Sequence, residues 1–147
     1  MDERFMRLAL EEAGRAFELD EIPVGAVLVN GGKVIARAHN LCEAGGDATS
    51  HAEILCIREA SRGLGARLDG CTLYCTLEPC AMCTGAAILS RVSRIVFGAF
   101  DIRAGCCGSV IDMADGWFNH SIEVIGGVME EECAALLHAF FSSKRRS

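Results

Sequence analysis

The chain is 147 residues long and 51% hydrophobic, the size of one domain with enough apolar material for a continuous core. From Met1 to Glu21, acids and bases interrupt the apolar positions, so this segment lacks the uninterrupted apolar stretch of a signal peptide or membrane span; we expect no membrane association and a cytoplasmic protein. A formal net charge of −6 speaks against broad nucleic-acid binding while leaving room for a local basic patch, and nine cysteines without an export signal speak for reduced thiols plus a metal site.

Residues 2 to 18 carry Phe5, Leu8, Ala9, Ala13, Ala16 and Phe17 at helical spacing, which predicts an amphipathic first helix whose apolar face needs a sheet to cover. Two short β-type runs follow, Val24 to Val29 and Val34 to Ala38, separated by the turn residues Asn30, Gly31 and Gly32, and these read as a hairpin. Asn40 to Ser50 is rich in Gly, Asp, Thr and Ser and is expected to be a loop, with Asp47, Thr49 or Ser50 capping a helix from His51 to Arg62. Beyond it the pattern predicts a strand over Cys71 to Leu77, a helix over Cys80 to Ser90 and a strand over Arg94 to Gly98. A short strand from Ile122 to Ile125 and an amphipathic helix from Glu130 to Phe141 complete the order, before a polar tail from Ser142 to Ser147. Helices interleaved with strands, after an antiparallel hairpin, predict an α/β fold: a three-layer α/β/α sandwich around a mixed five-stranded sheet, with residues 1–147 forming a single domain.

The chemistry concentrates in His51-Ala52-Glu53 and Pro79-Cys80-Ala81-Met82-Cys83. One imidazole and two thiolates make three protein ligands for Zn2+ and leave the fourth tetrahedral position for water, which is a catalytic arrangement and not a closed structural one. His51 and the Cys80/Cys83 pair fall at the starts of two predicted helices, where unpaired N–H groups and the helix dipole favour thiolate. Glu53, two residues past the His, need not bind metal; it can take a proton from the water and return it to a leaving amine. H-x-E combined with P-C-x-x-C is the signature of zinc nucleobase deaminases, which remove the exocyclic amine from C4 of cytosine or C6 of adenine. The motif therefore fixes the reaction type before the substrate.

Taken singly, these elements have blander meanings: a C-x-x-C can be a redox dithiol, and H-x-E recurs by chance. Cys56, Cys71, Cys75 and Cys133 fall in apolar patterns and are expected as small buried hydrophobes. Cys106-Cys107, between Gly105 and Gly108, is expected to be a close-packed loop, since adjacent cysteines chelate one zinc poorly. Cys42 falls near Asn40, and His39, His120 and His138 are isolated in sequence and expected as surface or hydrogen-bonded residues.

With both motifs in view, the chain closely resembles the bacterial tRNA adenosine deaminases of the cytidine-deaminase-like superfamily. The likeness runs from about Phe5 to Arg146 and includes Pro23 to Val27, Asn40, Asp47 to Glu53, Thr72 to Tyr74, Thr76 to Cys80, Ser90-Arg91, Val96 to Ala99, Gly108-Ser109 and Glu132 to Leu137. The resemblance implies a cytidine-deaminase-like fold, a homodimer, one Zn2+ per subunit on His51, Cys80 and Cys83, Glu53 as proton shuttle, and a tRNA anticodon stem-loop whose wobble adenosine enters the pocket. It further implies that Asn40 and the Ala52 backbone N–H contact the purine, that Val24 and Leu77 wall it, and that Asp101 lies near the nucleotide backbone. A side-chain amide such as that of Asn40 offers a donor and an acceptor to a base edge, although a turn-forming loop residue is the ordinary reading of an isolated Asn. Phe140-Phe141 followed by Lys144-Arg145-Arg146 resembles a C-terminal helix end that meets RNA by stacking and phosphate contact. The sequence departs from the family pattern at Ala48, where Pro is usual, at His39, and at the bulky Ile102 and paired cysteines of the 101–107 segment.

Three functions are weighed: editing of adenosine in a tRNA anticodon, deamination of a free base or nucleoside of guanine or cytosine type, and a silent zinc-stabilised partner subunit. Asn40 and the Phe97 to Asp101 and Phe140-Phe141 segments favour the first, the acidic charge leans to the second, and Glu53 argues against the third.

Overall fold

A computed structural model describes residues 1–145 of the chain. In chain order the elements are α1 (Asp2–Glu18), β1 (Gly25–Asn30), β2 (Lys33–His39), α2 (Cys42–Gly45), α3 (Ala52–Leu64), β3 (Cys71–Leu77), α4 (Ala81–Leu89), β4 (Arg94–Ala99), β5 (Glu123–Ile125) and α5 (Glu130–Arg145). The strands form one five-stranded sheet in the order β2-β1-β3-β4-β5, antiparallel at β2/β1 and β1/β3 and parallel at β3/β4 and β4/β5. At the hairpin, Gly31 and Gly32 both adopt positive φ, of 59° and 78°, the conformation that suits a two-residue turn to the twist of its strands.

Period-two alternation along the strands builds the two cores. Ala26, Leu28, Leu73, Cys75, Ile95 and Phe97 face α3 and α4, packing on Cys56, Ala60, Ala87 and Ile88. Val27, Val29, Tyr74 and Val96 point the other way, onto Phe5, Met6 and Ala9 of α1 and Cys133 of α5. The result is the expected sandwich, with α1 and α5 on one face and α3 and α4 on the other. Each fully buried Leu, Phe or Met side chain contributes about 1.5–3 kcal/mol of hydrophobic stabilisation.

The structure differs from the sequence reading at three places. The 40–50 segment contains the short helix α2, whose Glu43 and Ala44 N–H groups donate to the buried Glu21 carboxylate at 3.0 and 2.6 Å, a partner some twenty residues earlier. No side chain from Asp47, Thr49 or Ser50 caps α3; His51 is itself the N-cap residue, while Asp47 Oδ1 accepts from Thr49 N at 2.8 Å in a tight turn just before it. Helix α5 runs on through Ser142 to Arg145, where a tail was expected, helped by the Ser143 hydroxyl donating to the Phe140 carbonyl at 2.7 Å. Arg146 and Ser147 lie outside the described residues.

Since β2, β3 and β4 all run in the same direction, their C-terminal ends share one edge of the sheet. From that edge the chain continues into Asn40, into Glu78-Pro79-Cys80 and into Phe100-Asp101, so the topology alone collects these residues.

Candidate active site

Two helix starts make the centre of the site. His51 and Cys80 are the N-cap residues of α3 and α4, both in extended conformation, and neither makes a side-chain cap hydrogen bond. An N-cap side chain normally turns back onto its own helix; here both turn toward each other. Cys83 sits three residues past Cys80, which brings both sulfurs to one face of α4. The ligand atoms of His51, Cys80 and Cys83 all lie within 4.8 Å of one another. His51 Nδ1 is 3.6 Å from Cys80 Sγ and 3.5 Å from Cys83 Sγ. Zinc bonds of about 2.0 Å to nitrogen and 2.3 Å to sulfur at the tetrahedral angle set that edge at about 3.5 Å, so the residues present fit the metal.

The site's electrostatics follow from its hydrogen bonds. The Cys80 thiol is pulled down to about 3 by its hydrogen bond with Cys83 and by a second with His51, so it holds the thiolate. Cys83 is pushed up by the bond to Cys80 and by burial, and keeps the proton until a metal displaces it. His51 is raised by its bond to Cys80, against the opposing effect of burial.

Glu53, at the second position of α3, is 4% exposed. Burial raises its carboxyl to about 7 in the metal-free site. Its Oε1 is the only buried side-chain nitrogen or oxygen without a hydrogen-bond partner among the described residues. An orphaned acceptor of this kind costs stability unless something in the working enzyme meets it.

Around this centre the other sequence-selected residues divide. Asn40 is buried, donates its N–H to the Val24 carbonyl at 3.1 Å, and accepts the Ala52 N–H on Oδ1 at 2.7 Å. The Ala52 N–H thereby orients the Asn40 side-chain amide. Val24 is packed in the core, and through its carbonyl it anchors the Asn40 backbone. Asn40, Cys42 and His51 line one cleft together with Glu21, Phe140, Phe141 and Lys144. Leu77 and Asp101 line an adjoining cleft of about 780 Å³, together with Phe100, Ile102, Phe141 and Lys144. Asp101 Oδ1 is occupied by the Arg103 and Ala104 N–H groups at 3.0 and 3.1 Å, which makes it the hinge of its own turn. Cys56, Cys71, Cys75 and Cys133 are buried as small hydrophobes, and Cys106 and Cys107 are packed in their loop. His39 meets Glu12 Oε1 at 2.8 Å and His120 the Val92 carbonyl at 2.7 Å, away from the metal ligands. Sequence reasoning missed Glu12, Glu21 and Glu78 as buried residues; for Glu78, an acid ending an apolar strand directly before Pro-Cys is the available signal.

With this geometry established, comparison with known proteins is specific. A family model for the cytidine and deoxycytidylate deaminase zinc-binding region matches residues 1–99. The chain is 52% identical to the tRNA-specific adenosine deaminase of Bacillus subtilis, an alignment covering 99% of this chain and 91% of that protein. A solved structure from a study of A-to-I editing by tRNA:A34 deaminases at the wobble position superposes with a TM-score of 0.86 at 45% identity, covering 90% of this chain and 98% of that one. A guanine deaminase from Nitrosomonas europaea superposes with a TM-score of 0.83 at 27% identity, covering 95% and 84%.

Proposed function

The chain belongs to the cytidine and deoxycytidylate deaminase zinc-binding family, among its tRNA-specific adenosine deaminases, and from that membership we propose how its residues divide the work. The reaction is hydrolytic deamination of adenosine to inosine at the wobble position of a tRNA anticodon: water adds at C6, the C6–N6 bond breaks, and ammonia leaves.

His51, Cys80 and Cys83 would hold one zinc ion per subunit, which when bound would supply a Lewis acid able to activate water near neutral pH. Glu53 accepts the proton of the attacking water on its carboxylate and passes it to the departing N6 amine. The observation that carries this role is the unpartnered, buried Glu53 Oε1, two residues from a ligand and on the same helix start. Asn40, steadied through its own Oδ1 by Ala52, directs its NH2 to an acceptor on the purine, with Val24 holding its backbone and Leu77 lining the base's cleft. Asp101 fixes the turn beside which the nucleotide backbone passes. Phe100 and Phe141, about half exposed along the cleft, offer faces for flanking bases.

Residues 1–147 act as one deaminase domain, and two copies pair. The exposed Leu89, Ile111, Trp117 and Phe118 supply apolar surface for that contact. The same reading has the enzyme act in the cytoplasm on tRNA; no described helix is long and apolar enough to cross a membrane.

The test is to incubate zinc-loaded protein with an anticodon stem-loop bearing adenosine at the wobble position and to count inosine by nuclease digestion and mass spectrometry. Free adenosine, guanine and cytosine run alongside. Inosine in the RNA alone is expected; turnover of a free base with none in the RNA would overturn the substrate assignment and leave the zinc chemistry standing.

A further inference from the structure

Glu78 follows the last residue of β3, immediately before the Pro79-Cys80 turn, and it is 2% exposed. A buried carboxylate needs donors, and Glu78 collects four from one loop. Its Oε1 accepts the Asp101 N–H at 3.1 Å and the Ser109 hydroxyl; its Oε2 accepts the Cys107 N–H at 3.1 Å and the Ser109 N–H at 3.0 Å. Both ends and the inside of the 101–109 loop are thereby tied to a single side chain. A fifth link runs beside it, from the Cys106 N–H to the Pro79 carbonyl at 2.9 Å, joining the loop to the turn that presents Cys80. Gly105 completes the arrangement, because a Cβ at that position would overlap the Glu78 carboxyl and the Asp101 carbonyl.

We propose that Glu78 is a positioning residue for the RNA-facing wall of the site: its carboxylate holds the 101–109 loop, and with it Asp101, in register with the zinc-ligand turn, without touching metal or substrate. Cys106 and Cys107 pack inward and hold the second half of the loop, whereas its first half has little burial to hold it. Ile102 is largely exposed and Arg103 and Ala104 are exposed, so they add little burial, and the Asp101 side chain is spent on its own turn. The place of its first half is therefore set chiefly by hydrogen bonds to a charge fixed at the end of the sheet, and charged acceptors in a buried setting are the strong kind. The same residue couples two parts of the reaction: the turn that holds the metal and the loop that meets the nucleotide share one anchor.

The inference rests on the RNA substrate reading, and its test separates the two. Glu78→Gln keeps the shape but puts an NH2 where N–H donors already point. In the zinc-loaded, full-length protein it is expected to raise KM for the anticodon stem-loop about tenfold while kcat changes by less than about threefold. Zinc content by elemental analysis stays at the wild-type value, and amide hydrogen exchange speeds up at 101–109 while the α1 and β1 amides remain as protected as before. Gly105→Ala, which leaves the charge but pushes it out of place, gives the same pattern from the other side. Should Glu78→Gln not fold, Ser109→Ala, which removes only the side-chain donor, carries the test with a smaller shift in KM and the same local change in exchange. Unchanged exchange at 101–109, or a loss confined to kcat or to zinc, overturns the proposal. If wild-type protein does not act on the stem-loop, the substrate reading fails by itself, and the exchange data alone decide whether Glu78 holds the loop.

Discussion

Replacing Glu53 by Gln changes one oxygen for an NH2 and nothing in volume, in a position that is 4% exposed at the start of α3. The metal ligands are untouched, so zinc content is expected to equal that of the wild type. What disappears is the proton carrier. General acid–base catalysis of this kind is worth roughly a hundredfold to ten-thousandfold in rate, or about 3–5 kcal/mol of barrier. Single-turnover inosine formation with zinc-loaded protein should fall within or below that range while stem-loop binding stays within about threefold of wild type. A second readout uses the metal-free protein. Burial raises the Glu53 carboxyl from its ordinary 4.5 to about 7, so the stability associated with its protonated form is fully present below the unfolded value and is lost as pH rises through 7. Metal-free wild type should therefore lose denaturation midpoint between about pH 5 and 8, and metal-free Glu53→Gln, which has nothing to titrate there, should lose less. Turnover retained within tenfold of wild type at full zinc occupancy would refute the shuttle, and parallel pH profiles of the two metal-free proteins would refute the buried-carboxyl account.

Cys80→Ala removes a thiolate ligand and should drop zinc to well under one ion per subunit, lowering Tm to that of chelator-treated wild type; equal zinc content in the variant would remove Cys80 from the ligand set. Leu28→Ala, at a fully buried position between sheet and α3, should cost about 2–5 kcal/mol by denaturant titration with an unchanged m-value. The Asp2 carboxylate is paired with Arg94 at 2.7 Å and also accepts the Tyr74 hydroxyl at 2.8 Å. Its carboxyl is held below the ordinary 3.8 chiefly by the Arg94 hydrogen bond, so this contribution is present above that value and is lost as pH falls through the lower folded one. Asp2→Asn should therefore destabilise by about 1 kcal/mol at pH 7 and flatten the acid limb below pH 4; an unchanged midpoint at pH 7 would show the pair to be worthless.

Residues 2–18, 71–77 and the zinc signature were legible in sequence because each obeys a local rule. Apolar positions repeat at the period of their element, and H-x-E with P-C-x-x-C names ligands by type and spacing alone. Helix α2 was not legible, because what stabilises it is the Glu21 carboxylate, some twenty residues away, accepting its first N–H groups. The end of α5 was misread for a similar reason: Ser142 to Arg145 looks like a solvated tail, yet the Lys144 ammonium reaches Asp20 at 2.6 Å across the fold.

The same limit explains the buried acids. Glu12, Glu21, Glu53 and Glu78 are all under 5% exposed, although glutamate is a residue that sequence reasoning sends to the surface. Three of them have partners on both oxygens: Glu12 from Arg15, Arg37 and His39, Glu21 from the α2 N–H groups, and Glu78 from the 101–109 loop. Their partners lie up to 31 residues away in the chain, so no local pattern announces them. In each, both oxygens already meet fixed partners. Glu53 differs from them in one respect, an oxygen without a donor. In a folded chain whose other buried glutamates meet fixed partners on both oxygens, the one left with an orphaned oxygen, two residues from His51, is the group the proposed mechanism uses to move a proton.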